Sequence, residues 1–379
     1  GTNNVFIGLS AGDATVDSSN HTIIGVGAGG NGDIVYNGAV AVGYLALHAL
    51  TSGVGNTAVG NSAAAATATG AYNTVLGMNA LTTASGTDSN NVAIGYESMK
   101  LMNDNDNDQN TAIGSMAMSA ITSGAGDGVA NCVAIGYNAL VGTSATIGDG
   151  TISIGSGALQ VLTTGAGNTA IGYTAGAALV EGNHNTILGY GAFIAGQEDS
   201  RCTAIGYQAL QDSDVSNTGS AVDTFNTAVG YQAGAAITVG TYNTILGGSA
   251  ADALTTGGNN TVLGYGALGA AALDASDNVA VGKSAMGSVY LGSSPHASAD
   301  TIRNIAIGTN ALLGGDIGGA NNDVEGNIAI GYEAMDATGS NAQLGTIAIG
   351  HQSLTSLTSG ANNVAVGYTA LSAVTGGAS

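Results

Sequence analysis

Basic side chains are almost missing from this sequence: Lys100, Lys283, Arg201 and Arg303 face 25 acidic residues in 379, for a formal net charge of −21. Such a field repels phosphate-rich partners, which excludes nucleic acid and anionic membrane surfaces. Large side chains are scarce too. There is no Trp, there are three Phe, and the 44% hydrophobic fraction is mostly Ala, Val and Ile. A thick globular core cannot be built from these residues, yet with only 8% charged residues the chain is too apolar to be disordered. What remains is a thin core extended along one axis. No apolar run is long enough to cross a bilayer, so the chain is not itself expected to span a membrane. It opens at Gly1 with neither an initiator Met nor a signal peptide. The expectation is one continuous repeat domain over 1–379, a fragment of a longer fibre polypeptide anchored or exported by other segments.

What is abundant is glycine, 64 residues of it, and much of it is periodic. NTAVG (56–60), NTAIG (168–172), NTAVG (226–230) and NVAVG (278–282) are one motif, and its closing glycine recurs twenty times, from Gly8 to Gly367. Nine of the nineteen intervals are 17 residues and the longest is 26. That period is too short for helix-pair repeats and too regular for a sandwich, whereas one turn of a solenoid fits. The fold class read from it is all-β: a parallel β-solenoid, or β-roll, of about twenty coils of 17–26 residues. At about 4.8 Å per coil it makes a rod of order 95 Å.

Each column of the repeat has a physical reading. The residue before the glycine is Ile, Val or Leu in all twenty units, and two before that stands Thr in ten and Val or Ile in ten. These two share one face of a short strand, taken here as the core face. The residue between them is Ala in thirteen units and points the other way, so a small-residue column is expected to face outward, towards another chain. Six units carry a bulky residue there (Phe6, Ile23, Val75, Ile187, Ile245, Val262), which marks a second coil type. The glycine itself, as at Gly60, Gly77, Gly172 and Gly230, supplies positive φ or close backbone approach at a corner. Asn stands four before the glycine in fourteen units, among them Asn56, Asn73, Asn168 and Asn226, and is read as a hydrogen-bonded ladder. Cys132 and Cys202 fall in this same column, four coils apart, too far for a disulfide and so read as buried free thiols; interchain pairing is the alternative.

The NTAIGY and NVAIGY units, such as Asn91 to Tyr96, resemble the NSVAIG-type repeats of trimeric autotransporter adhesin heads, the YadA-like family. NTAVGYQAG, from Asn226 to Gly234, is also similar to bacteriophage and marine-virus tail-fibre repeats. The resemblance covers about Asn4 to Leu371. It implies a left-handed parallel β-roll, a homotrimer of chains packed side by side, and a surface that binds matrix or host-cell components.

Chemistry-bearing constellations are few. Asp104, Asp106 and Asp108 alternate in NDNDNDQN like the start of a calcium loop, but the glycine and the glutamate of an EF-hand are absent. The expectation is a solvated acidic loop with at most adventitious Ca²⁺, and no cofactor. Ten tyrosines follow the corner glycine and are open to two readings, stacking on the neighbouring coil or contact with sugars. Asp212 with Asp214, or Glu198 with Asp199, are the carboxylate pairs a polysaccharide depolymerase would need. The longest intervals follow Gly114, Gly206, Gly282 and Gly308, and place insertions on one edge, where solenoids bind. Asp212, Asp214, Asp223, Tyr290, His296, Arg303, Asp316, Asp323 and Glu325 are the candidate contact residues there.

The function read from all this is a structural and adhesive segment of an extracellular or virion fibre, located at a cell surface or in a tail fibre. It is not read as an enzyme. Its expected partners are two copies of itself and a host-cell or environmental surface, glycan included. The alternatives are a tailspike-type depolymerase and an ice-binding solenoid, the second opposed by a broken Thr column placed on the core face.

Overall fold

The computed structural model describes residues 1–13, 18–30, 38–83, 87–102, 107–121, 128–142, 148–214, 221–269, 274–288, 301–314, 323–337, 343–358 and 360–375. The chain divides into two compact units, Gly1–Asn185 and Thr186–Ser379. Both are β-solenoids, and no helix occurs among the described residues.

The first unit stacks ten three-residue strands, from Val5–Ile7 to Thr169–Ile171. All neighbours pair in parallel without slippage, so each repeat column becomes a physical row: Thr57 lies on Thr74, Ala58 on Val75 and Val59 on Leu76. The second unit repeats this with ten strands, from Thr186–Leu188 to Val364–Val366. It adds short return strands. Asp199–Ser200 pairs with Val222–Asp223, and Thr301–Ile302, Val324–Glu325, Gln343–Leu344 and Gly360–Ala361 form a four-stranded parallel ladder.

The corner glycine is dictated by its surroundings. Gly60 has φ +145°, and a Cβ on it would lie 2.4 Å from the carbonyl oxygen of Gly77 in the next coil. Two turns follow. The Ala63 N–H donates to the Gly60 carbonyl (3.4 Å) with Ser62 at φ +53°, as in a type II turn, and the Thr67 N–H donates to Ala64 (3.2 Å), itself at φ +50°. Positive φ at non-glycine residues is uncommon and costs energy. Here the inter-coil ladder offsets it: Ser62 donates back to Tyr44 (2.8 Å) and Ala64 forward to Ala80 (2.9 Å).

The strand faces are the reverse of the expectation. The middle residue of the strand points inward and is buried in every coil except the first, where Phe6 is 41% exposed; Ala58, Ala93 and Ala204 are wholly inaccessible. The flanking Thr, Val, Ile and Leu look outward. The cause is space. The turn segment sends Leu47, Leu81, Met99, Met118 or Leu140 into the coil, all fully buried, and opposite such a side chain a strand residue has room for a methyl group.

The same volume rule explains the second coil type. In five of the six coils whose turn segment carries a small residue instead of a large one, the strand of the following coil carries the bulk: Gly12 precedes Ile23, Ala64 precedes Val75, Gly176 precedes Ile187, Gly234 precedes Ile245 and Ala251 precedes Val262, while Gly29, followed by Ala41, departs from the rule. A Cβ on Gly234 would lie 3.0 Å from the Cδ1 of Ile245, so the isoleucine occupies the space a larger residue would need.

Candidate functional site

The outward face of the stacked strands is a regular surface in each unit. Its two columns contain only Thr, Val, Ile and Leu, and hence no charge, in a chain of net charge −21. The side chains are half-buried or exposed: Leu76 is 49% accessible in the first unit, and Leu246 is 48% in the second. A contiguous uncharged strip of this kind is uncommon on the surface of a monomeric protein.

Beside the strip, the Asn column ties successive coils together. The Asn73 backbone N–H and Nδ2 both donate to Asn56 Oδ1 (2.9 and 3.1 Å), and Nδ2 donates again to the Asp88 carbonyl (2.7 Å). The pattern repeats at Asn168, whose Oδ1 accepts from the Asn185 N–H (2.8 Å), and at Asn226, whose Oδ1 accepts from the Asn243 N–H (3.0 Å). His21 takes the same role, its Nδ1 accepting the Ala39 N–H at 3.1 Å. Cys132 and Cys202 are buried free thiols in this column. Burial pushes the Cys132 thiol up to about 11 and that of Cys202 up to about 12.

Past the corner glycine the tyrosines form exposed stacks. Tyr190, Tyr207 and Tyr231 follow one another with ring centroids 5.4 and 5.2 Å apart, and Tyr332, His351 and Tyr368 do so at 5.1 and 5.0 Å. A second row, one residue before the Asn column, stacks Phe225 on Tyr242 at 5.4 Å with the Arg201 guanidinium 5.6 Å over Phe225. That row was missed from sequence. Its signal is the residue preceding each Asn, which adopts positive φ, as at Tyr72, Arg201, Phe225 and Tyr242.

Of the predicted contact residues, the structure brings one pair together, Arg303 with Glu325 at 2.8 Å, while Asp223 meets Arg201, which was not among them, at 3.1 Å; each pair bridges adjacent returns. Exposed pairs of this kind add little stability. Asp323 accepts the Gln343 N–H through its carbonyl (2.8 Å), while exposed Asp212 lies in the second turn of its coil and half-buried Asp214 just after it, donating backbone N–H groups to the Ala235 and Thr238 carbonyls. Asp199 is buried, which removes it from any surface pair with Glu198. Tyr290, His296 and Asp316 lie outside the described residues. So do Asp104 and Asp106, whereas the Asp108 carboxylate accepts the Ser89 N–H at 2.6 Å. Among the described residues no three His, Cys, Asp or Glu side chains gather as a metal group would require.

No protein-family model and no curated protein sequence matches the chain.

Proposed function

We propose that this chain is a structural and adhesive segment of an extracellular or virion fibre, and that it works as a homotrimer. The observation that carries the reading is the uncharged Thr/Val/Ile/Leu face that every strand turns outward. A second copy of the same chain fits that face best, because it presents the same coil spacing and the same uncharged columns, and because the strip carries none of the acidic residues that oppose self-association. The insertions Asp212 to Phe225, Val289 to Arg303 and Gly314 to Gly326, read from the sequence as one edge, are the segments assigned in this reading to contact with a host or environmental surface. Sedimentation of the paired variant Ile113→Asp/Leu246→Asp tests the seam: a desolvated carboxylate on each unit's strip should dissociate the assembly. An oligomer of unchanged mass would move the seam elsewhere.

One observation favours a second reading. The Thr column faces solvent rather than the core, which removes one of the two objections to a solid-surface binder, although Val or Ile still interrupts it in ten coils. Thermal hysteresis in a freezing solution of the protein decides this: the fibre reading predicts none, since the strip is covered in the trimer.

A further inference from the structure

The tyrosine row has a gap with a shape. In the first unit the residue after the corner glycine is Tyr137 in one coil, Ser156 in the next and Tyr173 in the one after. Ser156 is followed by Gly157, so the middle coil lacks both side chains that would fill the row. A cavity of about 160 Å³ opens there, walled by the two tyrosines and floored by Ser156 and Gly157. Other interruptions of the row differ. Beside Ser115 stands Met116, and above Gly248 the Tyr265 ring leans over, 3.5 Å from where a Cβ would be. At Gly157 a Cβ would find its nearest neighbours, Gln160 and Thr174, at 3.6 Å, so the floor is loosely covered.

From this the geometry points to a binding slot for one pyranose ring of a neutral glycan, held between Tyr137 and Tyr173. Three features select that ligand. The walls stand two coils apart, about 10 Å at the stacking distance of parallel strands. A flat aromatic ring would touch one wall at a time, whereas a puckered pyranose carries C–H groups on both faces and reaches both. The rim is made of neutral amides and hydroxyls, from Asn138, Gln160, Ser156 and Thr174, which suit sugar hydroxyls as donors and acceptors. No cation lines the slot, and the chain's −21 charge disfavours sialylated or sulfated sugars. The backbone that carries the slot is tied from coil to coil: the Gly157 N–H donates to the Tyr137 carbonyl (2.9 Å) and the Thr174 N–H to the Ser156 carbonyl (3.0 Å). The proposal rests on the adhesive reading only for its ligand class. A trimer with no sugar binding sinks the slot alone, and a monomer that binds sugar sinks the fibre seam alone.

Saturation-transfer NMR on the full chain with methyl glycosides of glucose, galactose, mannose and N-acetylglucosamine is the test. At least one should receive saturation, strongest at ring C–H protons. Ser156→Tyr continues the row as ten other coils do, so the variant should melt no lower than the parent and yet weaken binding about tenfold or more. Tyr137→Ala should weaken it likewise, and Ser115→Tyr should leave it unchanged. The slot is overturned if no glycoside in the panel binds, if Ser156→Tyr binds as well as the parent, or if N-acetyltyrosine amide displaces the glycoside and so marks an aromatic peptide site.

Discussion

A buried asparagine is tolerated when every polar atom on it is used, and Asn243 meets that condition. Its N–H and Nδ2 donate to Asn226 Oδ1, Nδ2 also donates to the Gly257 carbonyl, and its Oδ1 accepts from Asn260. Asn243→Ala strands the Asn260 N–H and the Gly257 carbonyl in the interior, a cost of about 1–3 kcal/mol, and faster hydrogen exchange at the Asn260 amide should report it. The two thiols give a pH signature. Both are raised on folding from an ordinary value of 9.0, so the folded state prefers the protonated form. Their contribution is complete below about pH 8.5. It is lost progressively as pH climbs from there towards 11 for Cys132 and 12 for Cys202. Replacing both with Ala should therefore flatten the alkaline fall in melting temperature, and iodoacetamide should label the parent only after unfolding. The Asn column was legible in the sequence because its residue type and its spacing coincide. The aromatic slot was not, because it is made by two absent side chains, at Ser156 and Gly157, and an absence leaves no motif.

Packing between coils is where the sequence was hardest to read. Period-two alternation established that Thr57 and Val59 share a face and that Ala58 lies on the other, but not which face is inside. Assigning the β-branched pair to the core assumed a core wide enough to hold it. The coil is narrower than that, and the Leu or Met of the turn segment already fills it. The columns themselves, the 17-residue rise and the in-phase glycines were readable because parallel stacking makes each sequence column a spatial row. The volume rule yields a rescue experiment. Ile245→Ala empties the space beside Gly234 and should cost about 2–4 kcal/mol. Gly234→Leu alone should overpack against Ile245. The double variant recreates the commonest arrangement, Leu in the turn and Ala in the following strand, as seen with Leu210 at φ +48° and Ala228. Thermal melts should show it more stable than either single variant, and simple addition of the two losses would refute the compensation.

For the molecule as a whole, charge and apolar surface are segregated. Acidic residues occupy turns, returns and insertions, while the columns of the stacked strands carry none. The proposed trimer should therefore tolerate salt, because its seam would be uncharged and salt would only screen the repulsion around it. Raising ionic strength should leave the oligomer intact or tighten it, and dissociation at high salt would show that ion pairs hold it instead. The most direct test of the outward apolar face as a seam between copies is the mass of the unmodified chain by multi-angle light scattering. Three chains of 36.3 kDa moving as one particle are predicted, and a monodisperse 36.3 kDa monomer at micromolar concentration would contradict the account.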